Sequence, residues 1–428
     1  MSLKKKPVNG MKDILPAEMR LRDYVTGVIK ETYGSYGFCA IDTPCVEHIE
    51  NLSSKQGGEN EKLIFKILKR GEKLQLAEAK SVDELVDGGL RYDLTVPLVR
   101  FYANHMNELP TPFKALQIGP VWRADRPQRG RYRQFVQCDI DILGDATNLA
   151  EIELILATGQ ALEKIGFQDF NIRLSDRRIL RAMAAYCGFS PDEHEKVFIH
   201  LDKWDKIGLT GVLAQMEKDG LTKAAMDKFA ALIAEMGDEK AGAGSLGQLK
   251  GLAAKLGTLL DAAVLQNMVD IIESVAAISG GAYGIIFDPT LVRGMGYYTG
   301  TIFEVQVANL AGSLGGGGRY DKMVGDFSGQ DVAGIGFSLG FERIILLLME
   351  GGVKPPDKTL KKAYLMEKGL SADRVRETLK MATNERPGSA EVLVAWMNKN
   401  KKFQKECLAA EGYGEIVEIY ANGGNTCT

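Results

Sequence analysis

The chain has 428 residues, 45% of them hydrophobic and 25% charged, with a formal net charge of −3. That length exceeds one ordinary core and implies roughly two to four domains. The composition excludes a disordered chain, and the near-neutral charge means that a nucleic-acid partner would be held by local basic patches. Cys39, Cys45, Cys138, Cys187, Cys407 and Cys427 show no C-x-x-C spacing and no neighbouring histidine pair, which argues against structural zinc. The basic start MSLKKKPVNG has no apolar h-region behind it, and no stretch reads as the ~18 apolar residues of a membrane span. A reduced, cytoplasmic protein without membrane contact is the expectation.

In chain order, Leu21, Tyr24, Val25, Val28, Ile29, Tyr33 and Tyr36 recur at a helical period and predict an amphipathic helix over 18–36. Gly34 and Gly37 end it, and Phe38–Pro44 reads as a strand. A polar loop at 54–62 is followed by strands predicted at Gly89–Thr95, Ala115–Arg123 and Gln134–Leu143, the last two joined by an arginine-rich loop. Residues 147–165 and 178–188 read as helices, and 190–280 is Ala-, Lys-, Leu- and Glu-rich with a glycine-rich break at 242–251. Strand character returns at 283–308, then come a glycine cluster at 315–318 and an apolar helix at 338–349. Gly351, Gly352, Pro355 and Pro356 mark a linker. Beyond it, strands at Ala363–Glu367, Glu391–Trp396 and Glu415–Tyr420 alternate with helical stretches, as in a small α/β domain.

Residues 123–133, RADRPQRGRYR, hold Arg123, Arg126, Arg129, Arg131 and Arg133 around Pro127 and Gly130. An isolated run of this kind is equally a solvated hairpin tip or a polyanion site, because guanidinium forks match phosphate geometry. The strand that follows, QFVQCDIDIL, puts Val136, Cys138, Ile140 and Ile142 on one face and Gln137, Asp139 and Asp141 on the other. An acidic strand face entered through an arginine hairpin suits a cationic amino acid lying beside a phosphate.

The stretch IGPVWRADRPQRGRYRQFVQCDIDILG resembles motif 2 of the class II aminoacyl-tRNA synthetases, in the form found in the histidyl-tRNA synthetase family. Thr43, Pro44 and Glu47 resemble motif 1, and GIGFSLGFERIILLL, with Arg343, resembles motif 3. LVRGMGYYTGTIFE at 291–304 resembles the histidine-specific segment of the family, with Gly296 where that pattern has Asp. GGGGRYDKM at 315–323 resembles the segment beside the adenosine pocket, although alone a glycine cluster is more often a turn. The resemblance covers residues 7–350 well and the tail loosely.

The fold it implies is α+β: a class II catalytic domain on an antiparallel sheet with flanking helices, a helical insertion, and a small C-terminal α/β domain. The boundaries are 1–177 and 281–352 for the two parts of the catalytic domain, 178–280 for the insertion, and 353–428 for a reduced domain of the anticodon-binding type. The activity implied is that of a histidine–tRNA ligase using ATP and Mg2+, with histidine and tRNA(His) as substrates and a homodimer formed through motif 1. Arg123, Arg293 and Gln137 are the expected catalytic residues, and Arg123, Arg343, Arg131 and Tyr132 the ATP-binding ones. Asp93, Thr95, Gln137, Asp141, Arg293, Tyr297 and Tyr298 would bind histidine, although Asp93 and Thr95 alone read as ordinary same-face strand residues. Asp141 stands where the family commonly has the longer Glu. Arg126, Gln128 and Arg129 would meet tRNA. Lys399, Lys401, Lys402 and Lys405 in the tail read either as phosphate contacts or as a solvated face. Metal ligands are not assignable. The alternative is the non-catalytic histidyl-synthetase-like regulatory subunit of ATP phosphoribosyltransferase, disfavoured by retention of Arg123, Arg293 and Arg343.

Overall fold

Apolar periodicity sets the first helix, Pro16–Ser35, which buries Val25, Ile29 and Tyr33. The structure is a computed structural model that describes residues 3–53, 60–239, 244–292, 297–307, 312–356, 360–388, 390–422 and 425–427. The chain separates into two compact units, Met1–Ile14 with Arg22–Glu350, and Leu15–Leu21 with Gly351–Thr428.

In the first unit the described strands run β1 Cys39–Ala40, β2 Val46–His48, β3 Lys66–Leu68, β4 Val86–Leu90, β5 Phe113–Trp122, β6 Gln134–Leu143, β7 Phe170–Asp176, β8 Gly284–Phe287, β9 Thr301–Val307, β10 Ser313–Arg319 and β11 Gly334–Leu339. Eight of them form one sheet in the order β1-β5-β6-β11-β10-β9-β7-β8. Its interior pairs are antiparallel, and only the two outer pairs, β1 with β5 and β7 with β8, are parallel. β2, β4 and β3 make a separate three-stranded sheet. With helices flanking the large sheet, the architecture is α+β.

The β5–β6 hairpin follows its apolar alternation. Cys138, Ile140 and Ile142 fill the core on one face, while Asp139 and Asp141 are also buried on the other. The glycine cluster lies within strand β10, not in a turn. A Cβ on Gly317 would stand 1.9 Å from the Gly336 carbonyl oxygen, and one on Gly336 would stand 1.9 Å from Asp141 Oδ1. These strands therefore approach too closely for any side chain at those positions.

The strand expected at Gly89–Thr95 ends at Leu90, and Thr95 instead opens the helix Thr95–His105. Asp93 explains the change: its Oδ1 accepts the Val96 backbone N–H at 3.1 Å, a helix-start bond, and Pro97 sits in the first turn. That helix and Asp321–Ser328 share a core of Leu98, Val99, Tyr102, Phe113, Met323 and Val324, closed by Tyr320. The expected strand Phe38–Pro44 shrinks to the two residues of β1.

Residues 177–279 are helical wherever they are described, apart from short turns. Asp176 and Asp261 cap two of these helices, and Ser190 with Glu193 forms a capping box on a third. The last, Ala262–Ser279, amends the sequence expectation: with a mean hydropathy of 1.3 it is long and apolar enough, on those counts alone, to cross a membrane. It packs on the helices Leu149–Ile165 and Gly244–Leu256 and buries Val264, Met268, Ile271, Ile272 and Val275 against them.

The second unit is a four-stranded sheet ordered β13-β12-β14-β15, from β12 Leu360–Met366, β13 Ala390–Trp396, β14 Glu415–Ile419 and β15 Asn425–Cys427. Alternation along β12 sends Tyr364 and Met366 into one cluster and Ala363 and Leu365 into another, so this sheet is covered on both faces. Lys401 and Lys405 are not free lysines. They pair with the buried Glu418 at 2.7 and 2.9 Å. Burial opposes ionisation of Glu418, but hydrogen bonds from Lys401, Tyr420 and Lys405 prevail and hold its carboxyl down at about 2.

Candidate functional site

Strands β6, β10 and β11, the arginine loop and the segment before helix Thr95–His105 enclose a cavity of about 640 Å³. Of the residues proposed from sequence, Asp93, Thr95, Arg123, Arg131, Tyr132, Gln137, Asp141, Tyr297, Tyr298 and Arg343 line it together. Arg126, Gln128 and Arg129 are exposed on the loop and outside that lining, and Arg129 pairs with Glu350. Arg293 and Gly296 lie outside the described residues.

One end of the cavity is cationic. Arg123 follows β5, donates through Nε to the Tyr92 carbonyl at 3.1 Å, and lies over the rings of Tyr92 and Phe135 at 4.2 and 5.2 Å. Its guanidinium is thus fixed in plane by one hydrogen bond and two ring faces. Arg131 is held by Asp125 at 2.9 Å across the tight turn at Gly130, whose φ of 69° favours glycine. Arg343 donates to the Ser313 carbonyl at the start of β10. Its neighbour Glu342 takes Arg22 in a two-pronged buried pair at 2.8 and 2.7 Å and also accepts the Val136 N–H at 3.2 Å. One carboxylate therefore ties the first helix, β6 and the helix Phe341–Glu350 together.

The other end is acidic. Gln137, Asp139 and Asp141 project from β6 into the wall, with Asp139 opposite Ser338 and Asp141 opposite Gly336 on β11. Gln137 Nε2 donates to Ser338 Oγ at 3.1 Å and to Asp139 Oδ2 at 3.4 Å. Tyr320 donates its hydroxyl to Asp141 Oδ1 at 2.5 Å. Burial, and then the charge of Asp141, push the Asp139 carboxyl far above the usual carboxylate range. Burial pushes Asp141 up to about 7, with the Tyr320 hydrogen bond working against it and Asp93 adding to it.

Three acceptors on this wall, Gln137 Oε1, Asp139 Oδ1 and Asp141 Oδ2, are buried with no hydrogen-bond partner among the described residues. Buried acceptors of this kind are uncommon and costly, and a ligand rich in N–H groups would satisfy them. Tyr297 and Tyr298 close the wall as an edge-on pair with centroids 4.9 Å apart, and Tyr297 meets Tyr320 at 6.2 Å.

The alternation that singles out Gln137 and Asp141 also puts Asp139 on the face suited to a cationic amino acid, but the resemblance gives Asp139 no individual role. Tyr320 stands out in the sequence only as part of the glycine segment. Ser338, Phe135, Glu342 and Asp202, from the junction between helices Pro191–Leu201 and Trp204–Lys218, also line the cavity. No sequence signal marked Asp202, which only tertiary folding brings there.

The model of the family "Histidyl-tRNA synthetase" matches residues 10–344. The histidine–tRNA ligase of Leifsonia xyli subsp. xyli is 46% identical over 349 residues, 80% of each chain. The probable histidine–tRNA ligase of Tropheryma whipplei is 41% identical over 368 residues, 83% of each chain. Among solved structures, histidyl-tRNA synthetase from Nostoc sp. PCC 7120 superposes with a TM-score of 0.79 at 25% identity, covering 100% of this chain and 97% of that one. An ATP phosphoribosyltransferase regulatory subunit/histidyl-tRNA synthetase from Bacillus halodurans C gives 0.77 at 19% identity, covering 98% and 99%, a likeness of fold alone.

Proposed function

The chain belongs to the histidyl-tRNA synthetase family, and on that premise we propose that it is a cytoplasmic histidine–tRNA ligase whose catalytic pocket is the cavity bounded by Arg123, Arg343 and the β6 carboxylates. It joins histidine to ATP as histidyl-adenylate and passes the histidyl group to the 3′ end of tRNA(His). The observation that carries this reading is the polarity of one pocket: arginines at one end, and unpartnered buried acceptors at the other. The regulatory-subunit alternative is not favoured, since the curated relatives at 46% and 41% identity carry the ligase name.

In the first step an oxygen of the histidine carboxylate bonds to the α-phosphorus of ATP as the bond to pyrophosphate breaks. Such displacements depend on positioning and charge neutralisation. Arg123, fixed between two rings, would hold the histidine carboxylate against the α-phosphate, with Gln137 beside it. Arg343, Arg131 and Tyr132 would hold the rest of the nucleotide. Arg293 would stabilise the charge that develops on the α-phosphate. Asp93 and Thr95 would meet the ammonium, while Asp141, Tyr298 and Tyr297 would receive the imidazole. Here the shorter side chain of Asp141, compared with Glu, is complemented by Tyr320, which orients it. A ring without N–H groups would leave these acceptors unsatisfied, and that is how strong rejection arises.

Arg126, Gln128 and Arg129, exposed on the loop, would meet the incoming tRNA. A homodimer through motif 1 is part of the same reading. Among the described residues no group of three or more His, Cys, Asp or Glu is arranged to hold a metal ion. Magnesium is expected to arrive with the nucleotide.

The deciding measurement is ATP–pyrophosphate exchange without tRNA, with each amino acid in turn. Exchange driven by histidine alone is expected. No exchange with any amino acid, in folded protein, would overturn the ligase reading.

A further inference from the structure

Asp139 has no role in the histidine site as described above, yet its burial and its position both call for a ligand. The residue is 3% exposed, lines the cavity, and leaves Oδ1 without a hydrogen-bond partner among the described residues, while Gln137 Nε2 serves Oδ2 and Ser338 also bonds to the carboxyl. A buried oxygen in that state is costly, and a donor on a bound ligand would satisfy it. Position says which donor. Side chains two apart on one face of a strand are spaced by roughly 7 Å, so Gln137, Asp139 and Asp141 form a row along the pocket wall. With the substrate carboxylate at the Gln137 and Arg123 end and the imidazole at Asp141, the amino group comes between them, opposite Asp139. Charge agrees: Asp93 and Asp141 both act on Asp139 to disfavour its ionisation, and an ammonium beside them would relieve that repulsion.

Resting on the ligase reading, we propose that Asp139 is a further substrate-binding residue, whose Oδ1 accepts a hydrogen bond from the amino group of histidine so that the ammonium is held between Asp93 and Asp139. Its contribution is then specific to one group of the ligand. A residue that merely supported Gln137 and Ser338 would affect all ligands alike.

The test compares histidine with imidazolepropionate, which is histidine without its amino group, by calorimetric titration of the full chain and of Asp139→Asn. The substitution is expected to weaken histidine by roughly ten- to a hundred-fold and to leave imidazolepropionate within about twofold of its affinity for the unaltered protein. The KM for ATP in pyrophosphate exchange should stay unchanged. Equal losses for both ligands, or no loss for histidine, would overturn the assignment. If the Asn variant fails to fold, Asp139→Ser carries the same comparison. Histidine binding and histidine-dependent exchange by the unaltered protein are measured in parallel. Failure there sinks the ligase reading itself, whereas success with an indifferent variant sinks only the role of Asp139.

Discussion

Replacing Tyr320 by Phe removes the hydroxyl that donates to Asp141 Oδ1 at 2.5 Å and keeps the ring that meets Tyr297. Burial pushes Asp141 up to about 7, and the Tyr320 hydrogen bond is the foremost influence holding it down. A hydrogen bond to a charged group contributes about 1.5–3 kcal/mol. At about 1.4 kcal/mol for each tenfold change in ionisation, its loss lifts the Asp141 pKa to roughly 8–9. The ionised carboxylate is the form proposed to accept the imidazole N–H. At about pH 7 half of it is ionised in the unaltered protein, against roughly one to ten per cent in Tyr320→Phe. The kcat/KM for histidine in pyrophosphate exchange, at saturating ATP, should therefore fall by about five- to fifty-fold near pH 7. Because a raised carboxyl pKa is overcome by raising the pH, the deficit should shrink to about twofold or less towards pH 9. A loss of the same size at every pH would refute the coupling between Tyr320 and Asp141.

Glu342→Ala removes the acceptor of Arg22 and of the Val136 N–H, and breaking such a buried pair should lower the unfolding free energy by about 3–5 kcal/mol in urea titrations. Exchange at a temperature where the variant is folded should slow, since Glu342 ties β6 to the helix that carries Arg343; unaltered exchange would count against that positioning role. Gly317→Ala should destabilise by roughly 1–3 kcal/mol, because its Cβ meets a backbone oxygen that has nowhere to move. Gly27→Ala, exposed on the first helix with open space around it, should instead stabilise by about 0.5–1 kcal/mol, and the pair can be read from the same denaturation experiment.

The elements that were legible in sequence are those with a dominant local signal. β6 matches its alternation from Gln134 to Leu143, and the first helix, the helix Leu149–Ile165 and the tail strands fall within a few residues of their predicted bounds. Gly89–Thr95 was misread because β-branched and aromatic residues continue past Leu90, while the deciding event is a side-chain bond from Asp93 that opens a helix. The glycine run was ambiguous because its conformation follows from how closely β11 approaches, a tertiary fact. In the site, motif resemblance marked most of the residues that line the cavity. It did not mark Asp139, Tyr320 or Asp202, whose relevance comes from burial, from a cross-strand hydrogen bond and from a distant helical junction. Lys401 and Lys405 show the converse: a basic run in sequence in which one of these two charges is already offset by Glu418.

That pairing bears on how the second unit would meet any polyanion. Binding to a nucleic acid gains much of its free energy when lysines displace condensed counterions, and each contact steepens the salt dependence by close to one logarithmic unit. A lysine neutralised by an internal carboxylate releases no counterion unless it first leaves that partner. Glu418 offsets one of the two charges of Lys401 and Lys405, so this pair contributes about one releasable counterion to the exchange where two bare lysines would contribute about two. Lys399 and Lys402 are exposed, as are the aromatic rings of Trp396 and Phe403. A nucleic acid meeting this surface would find stacking partners in the exposed rings alongside fewer free charges than the lysine run suggests.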